Sequence, residues 1–268
     1  MLPGQPAAAH GVMDADAAPL TPALLLHGFL GCGDDWRALQ PALAPRPLWC
    51  PDLPGHGASP SLPTPSLSGC ADWLARWLDR AELPRVHLLG YSLGGRIALT
   101  FAGRYPERLA SLTLEAAHPG LLTPTERQQR QQQDKQWAER FSREPLTAVL
   151  ADWYRQPLFA DLNGGERQAL VAERSQGDGA ALAAMVSGCS LADQPDLRPI
   201  IAALPAPVHY LFGRLDLRFA AVAATLADAG LQLNLHPVSA AGHNCHRAQP
   251  VQVATLLNAL WSDADAHY

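Results

Sequence analysis

The segment Val86-His-Leu-Leu-Gly-Tyr-Ser-Leu-Gly-Gly-Arg-Ile-Ala-Leu99 constrains this chain more than any other. Its apolar opening reads as a buried strand, and the residues from Leu93 onward read as a helix with small and apolar residues on one side. Between them, Gly90-Tyr91-Ser92-Leu93-Gly94 spells G-x-S-x-G. A pattern this short recurs by chance, and it gains meaning from its place between a strand and a helix. A sharp strand-to-helix turn forces Ser92 into strained backbone, and glycines at 90 and 94 relieve the crowding that follows. The hydroxyl is then presented at a helix N-terminus, where peptide dipoles favour negative charge. The plain alternative is a serine in an ordinary turn.

Six runs read as short buried strands, at residues 23–27, 47–50, 86–90, 109–115, 208–213 and 231–238. They alternate with helical stretches, which predicts an α/β fold with a mostly parallel sheet covered by helices on both faces. From about residue 118 to 205 no strand pattern occurs; 125–143 is rich in Gln and Arg, and 166–190 is Ala-rich. The expectation is a core of residues 1–118 and 205–268, with a helical lid inserted at 119–204. Such an insertion lies over the carboxyl ends of the strands, where ligands bind. With 268 residues, 48% of them hydrophobic, the chain can bury a substantial core, and disorder is excluded.

A nucleophilic serine needs a base, and the base an orienting acid. His243 is the best base, in Ala240-Ala-Gly-His-Asn-Cys-His246 after the last strand; His246 is the rival, but Gly242 gives the earlier position the freer backbone. Asp216, in Phe212-Gly-Arg-Leu-Asp216, is the best acid. Each follows a strand, and the chain order Ser92, Asp216, His243 is the one this kind of fold uses. The glycine-rich turn His27-Gly28-Phe29-Leu30-Gly31 can present the N–H of Phe29, which with that of Leu93 would make an oxyanion hole. His27, Asp52 and His56 read as scaffold.

Composition narrows the remaining classes. A net charge of −5, with no basic run of five or more, argues against general nucleic-acid binding. Of the 20 basic residues only Lys135 is a lysine, a bias that codon usage alone can produce. The five cysteines are scattered without a C-x-x-C pair, so neither a disulfide framework nor a zinc site is supported. Residues 1–19 hold no Lys or Arg and lack the pattern of a secretory signal. No apolar run reaches the roughly 18 residues of a membrane span. The expectation is a cytoplasmic protein, monomeric rather than obligately oligomeric, with no metal or organic cofactor.

Taken together, the motifs resemble the α/β-hydrolase superfamily. The segments Leu26-His-Gly-Phe-Leu-Gly, Asp52-Leu-Pro-Gly-His-Gly, Gly90-Tyr-Ser-Leu-Gly-Gly-Arg96, Glu115-Ala-Ala-His-Pro-Gly-Leu121, Gln136-Trp-Ala-Glu-Arg-Phe141, Ala151-Asp-Trp-Tyr154, Ser190-Leu-Ala-Asp-Gln-Pro-Asp-Leu197 and Ala241-Gly-His-Asn-Cys-His-Arg247 carry a narrower likeness. They are similar to the 2-succinyl-6-hydroxy-2,4-cyclohexadiene-1-carboxylate synthase family of menaquinone biosynthesis. The likeness runs over residues 23–261, the expected lid included. The first twenty residues, rich in Ala and Pro, depart from it and do not read as an opening strand pair.

The resemblance implies a lyase that eliminates pyruvate from 2-succinyl-5-enolpyruvyl-6-hydroxy-3-cyclohexene-1-carboxylate, a small tricarboxylate. It also implies substrate contacts from Tyr91, Arg96, Arg130, Trp153 and Arg174. The arginines would bind carboxylates, for which a planar guanidinium fork is suited. On their residues alone, Arg130 could lie on a solvated helix face and Trp153 in the core of the lid. Because an oxyanion hole stabilises an enolate as it does a tetrahedral intermediate, Ser92 is expected to act as a base rather than an acylating nucleophile. Two competing readings remain. A carboxylesterase or carbon–carbon bond hydrolase with the same triad would form an acyl-enzyme, and a binding protein on this fold would keep the pocket without turnover.

Overall fold

The apolar runs form a six-stranded parallel sheet of order β2-β1-β3-β4-β5-β6. The strands are β1 (Ala23–Leu26), β2 (Leu48–Trp49), β3 (Val86–Tyr91), β4 (Leu109–Glu115), β5 (Val208–Gly213) and β6 (Asn234–Val238). The computed structural model describes residues 20–267. Residues 1–19, and with them the Ala- and Pro-rich opening and the expected lack of a secretory signal, lie outside the described residues. Every residue of β1, β3 and β4 is buried, as expected of central parallel strands covered on both faces. The two outer strands are shorter than the sequence predicts. β2 is hemmed by Pro47 and Pro51, and β6 carries Pro237; proline cannot donate to a ladder and is tolerated at sheet edges.

Helices α1 (Gln40–Leu43), α2 (Leu67–Arg80) and α3 (Leu93–Arg104) precede β4 in the core, and α9 (Leu217–Asp228), α10 (Cys245–Ala248) and α11 (Pro250–Ala266) follow β5. Between β4 and β5 lie α4 (Pro124–Arg143), α5 (Leu146–Trp153), α6 (Gly164–Arg174), α7 (Gly179–Gly188) and α8 (Arg198–Ala203). The Gln- and Arg-rich α4 is started by local chemistry. Thr123 Oγ1 accepts from the Glu126 N–H at 3.2 Å, the Glu126 carboxylate accepts from the Thr123 N–H at 3.0 Å, and Pro124 takes the first helical position. On its inner side Phe141 joins Val149, Leu150, Leu170, Leu182 and Val186 in a second apolar cluster, apart from the one that holds the sheet. The Arg127 guanidinium donates to the carbonyls of Leu121, Ala192 and Gln194, tying the start of this segment to its end. The last helix between β4 and β5, α8, lies with the core, where Ile200 fills the space left by Gly103 of α3.

The sheet order explains where a ligand can enter. From β1 the chain runs outward to β2, then returns past β1 to β3 and continues the other way. Loops leaving the carboxyl ends of β1 and β3 therefore diverge and open a crevice between them. Phe29 follows β1 and Ser92 follows β3, so both stand at that crevice. Among the described residues no helix is long and apolar enough to cross a membrane.

Candidate active site

Ser92 occupies the turn between β3 and α3 with φ +51° and ψ −108°. A side-chain residue rarely adopts this region, and such strain is stored where the surroundings fix it. A Cβ on Gly90 would collide with the backbone of Gly94 and Gly95, and one on Gly94 with the carbonyls of Leu26 and His27. The glycines thus allow the turn and the close approach of α3 to β1. The Ser92 N–H donates to the Glu115 carbonyl at 2.8 Å, pinning the turn to the end of β4.

The other two triad members arrive from separate loops. His243 Nε2 lies 3.2 Å from Ser92 Oγ, and His243 Nδ1 lies 2.9 Å from Asp216 Oδ2. A carboxylate at Nδ1 requires the proton on that nitrogen, which leaves Nε2 free to accept from the serine hydroxyl. Asp216 caps α9 by accepting from the Phe219 N–H at 3.1 Å, so its carboxylate is itself oriented. The rings of Phe219 and Tyr91, at 4.8 and 5.2 Å from the imidazole centroid, wall it from solvent.

His246 is placed elsewhere. Its Nδ1 lies 2.9 Å from Glu115 Oε2, and its ring stacks on Trp36 at 3.9 Å. Glu115 also accepts from the N–H groups of Cys245 at 2.7 Å and His246 at 3.2 Å. This buried carboxylate escaped the sequence reading. The signal for it was a charged residue ending an otherwise uncharged strand. The scaffold reading of the other loop residues agrees with their bonds. His27 Nε2 accepts from the Leu53 N–H at 2.9 Å, and Asp52 accepts from Gly33 and Ala58, each at 2.8 Å. Burial holds His56 neutral, its pKa pushed down to about 3.

The triad opens on a cavity of about 610 Å³, which Phe29, Leu93, Arg96, Arg130 and Trp153 also line. Leu93 stands at the first position of α3, where the helix leaves an N–H without a carbonyl partner. Arg96 is buried, donating through Nε to Gln194 at 2.5 Å and through Nη2 to the Cys189 carbonyl at 2.7 Å. Burial, then the nearby Arg130, lowers its pKa to about 10, still cationic at neutral pH. Arg130 Nε is held 2.8 and 2.9 Å from the oxygens of Asp134, which also accepts from Ser190 at 2.7 Å. Trp153 packs edge-on to Trp137 at 4.9 Å and against Phe29 at 5.1 Å, so it is both wall and packing residue.

His118 and Arg218, which also line the cavity, were not singled out in the sequence. The Gly120 N–H donates to His118 Nδ1 at 3.1 Å. Burial, then Arg218, Arg198, Arg96 and Arg130, holds this imidazole neutral with a pKa of about 3. Tyr91 and Arg174 face a different space, a cavity of about 80 Å³ that shares Phe29, Ser92, Trp153 and His243 with the larger one. Arg174 is ion-paired there with Asp35 beside Cys32. The three predicted arginines therefore do not form one cluster. Arg96 and Arg130 share the large cavity, and Arg174 is neutralised in the small one.

A Ser-His-Asp triad at a strained strand-to-helix turn, on a parallel sheet with an inserted helical segment, defines an enzyme of the α/β-hydrolase class. The family model described as alpha/beta hydrolase fold matches residues 21–244. A 2-succinyl-6-hydroxy-2,4-cyclohexadiene-1-carboxylate synthase of Klebsiella pneumoniae subsp. pneumoniae is 44% identical over 234 residues, covering 87% of this chain and 91% of the relative. The synthase of Escherichia coli O1:K1 is 43% identical with the same coverage. The structure of MenH from S. aureus superposes with a TM-score of 0.86 at 23% identity, covering 94% of this chain and 97% of that one. A thermophilic esterase from Thermogutta terrifontis gives 0.77 at 26% identity, over 91% and 90%. The chain belongs to the 2-succinyl-6-hydroxy-2,4-cyclohexadiene-1-carboxylate synthase family of the α/β hydrolases.

Proposed function

We propose that this protein eliminates pyruvate from 2-succinyl-5-enolpyruvyl-6-hydroxy-3-cyclohexene-1-carboxylate, leaving 2-succinyl-6-hydroxy-2,4-cyclohexadiene-1-carboxylate for menaquinone biosynthesis. Ser92 passes its proton to His243 and takes the ring proton next to the succinyl carbonyl. The carbonyl oxygen becomes an enolate, held by the N–H groups of Phe29 and Leu93; losing one such donor costs about 3 kcal/mol at the barrier. Electrons return from the enolate, the ring double bond shifts, and the carbon–oxygen bond to the enolpyruvyl group breaks. The departing enolate takes the proton from His243 and leaves as pyruvate, so the triad ends as it began.

The observation that carries this reading is the shared cavity. It joins the triad to guanidiniums, Arg96 and Arg130 among them, which suit the carboxylates of this substrate. Tyr91 and Arg174, in the smaller cavity behind Ser92, are assigned to the same substrate on its far side. The inserted segment acts as the lid, since its Trp153, Arg130 and Val186 form one wall of the large cavity. We assign the protein to the cytoplasm and to a monomeric state.

The test supplies the enolpyruvyl substrate and follows pyruvate. Wild type is expected to release it far above the uncatalysed background, with the rate lost in Ser92→Ala and KM raised in Arg130→Ala. No pyruvate from wild type, together with rapid hydrolysis of p-nitrophenyl acetate abolished by Ser92→Ala, would make it an esterase.

A further inference from the structure

The large cavity has a floor and a mouth. At the floor Met185, Cys189 and Arg96 are buried, whereas Leu215, Leu217 and Arg218 line the same cavity and are exposed, Leu217 by 79%. Arg218 lies two residues beyond the triad acid, in the first turn of α9. Its guanidinium carbon lies 5.9 Å from the centre of the Phe219 ring, whose other neighbours are the imidazoles of His243 and His118. It therefore borders the reacting centre from the solvent side.

Its charge is uncommitted. Arg130 is balanced by Asp134, and Arg174 by Asp35. Among the described residues no carboxylate forms an ion pair with Arg218. The acidic group that acts on it is Asp216, whose oxygens are already taken by His243 and the Phe219 N–H. An arginine at a cavity mouth without an acidic partner keeps its guanidinium fork open to an anion.

Resting on the elimination proposed above, we infer that Arg218 holds the carboxylate of the enolpyruvyl group, so that the leaving group is bound at the mouth and the ring lies toward the floor. The reaction itself supplies the reason. Pyruvate is the smaller product, and a leaving group whose carboxylate sits at the exposed end reaches solvent without passing the ring product. A guanidinium there also opposes the negative charge that grows on the departing oxygen. His118 stays neutral beside it and leaves the positive charge at the mouth to Arg218.

The assignment makes substrate and product respond differently to one substitution, because only the substrate carries the enolpyruvyl carboxylate. In Arg218→Gln the KM for the enolpyruvyl substrate is expected to rise about tenfold, the value of one charge-assisted hydrogen bond, with inhibition by free pyruvate weakened alongside. The Ki of the cyclohexadiene product is expected to stay within about twofold of wild type, and Arg218→Lys to recover part of the KM, as a point charge without the fork does. An unchanged KM in Arg218→Gln, with wild type active, overturns the assignment. A product Ki that rises in step with KM also overturns it, since Arg218 would then hold the ring portion or only the local structure. Wild type that releases no pyruvate removes the functional reading itself, a result separable from either of these.

Discussion

The Glu115 carboxylate accepts the backbone N–H of Cys245 at 2.7 Å, two residues beyond the triad histidine. The carbonyl of the same Glu115 accepts from the Ser92 N–H. The end of β4 thus fixes the nucleophile through its main chain and the base loop through its side chain. The triad spacing is set by a residue that touches neither reacting atom.

Replacing that residue has a definite expected result. Glu115→Ala strands two backbone N–H groups and the His246 ring in a buried site, and losing one partner of such a site costs about 3–5 kcal/mol. The melting temperature and kcat are expected to fall together, with Glu115→Gln intermediate because one acceptor oxygen survives. Wild-type kcat and melting temperature in Glu115→Ala would show that the loop holds itself.

The two neighbouring histidines separate chemistry from structure. His243→Ala is expected to lower kcat by about 10²–10⁴, the range for general-base loss, with little change in stability. His246→Ala loses its stack on Trp36 and its bond to Glu115, so its melting temperature is the quantity expected to drop. Paired steady-state rates and thermal melts decide this, and a loss of turnover confined to His246→Ala would reassign the base.

The arginines are expected to divide in the same way. Arg96 is held by neutral acceptors and keeps its charge available, so Arg96→Ala should raise KM about tenfold or more. Arg174→Ala instead leaves Asp35 without its partner, and stability is expected to fall by about 3 kcal/mol with a smaller change in KM. Urea unfolding alongside substrate titration measures both. Equal KM effects would place Arg174 on the substrate as directly as Arg96.

Acid stability follows from the buried histidine His56, whose pKa lies near 3 rather than 6.5. The unfolded chain takes up this proton below about pH 6.5 while the native state refuses it, so stability is complete above that value and declines as pH falls toward 3. The loss is about 1.4 kcal/mol per pH unit for one such group. Urea midpoints measured from pH 7 to 4 should fall less steeply in His56→Gln than in wild type. Parallel curves would mean that His56 is protonated in the native state.

Much of the architecture was legible in the sequence because it rests on local rules. The run of β1 and most of β3 stand out since strands buried on both faces are apolar almost throughout. α4 showed in the sequence as the Gln- and Arg-rich stretch 125–143. The ends of β2 and β6 were less legible, because edge pairing depends on neighbours outside the run, and each has a proline nearby. Glu115 and Arg218 were missed for a related reason. Each is an unremarked charged residue in its own segment, and each acquires a part only from a loop more than twenty residues away.

The sequence by itself determined the nucleophile turn, the strand that leads to it, and the chain order of serine, acid and base, because each member is written in a short stretch of residues. Only the tertiary structure decided which histidine meets Ser92 and which arginines share its cavity. His243 and His246 are three residues apart in one loop, yet one faces Asp216 and the other Glu115. Arg96, Arg130 and Arg174 are alike in sequence, yet Asp35 draws the third away. Such choices are made by partners brought together from distant segments of the chain, and no local pattern encodes them.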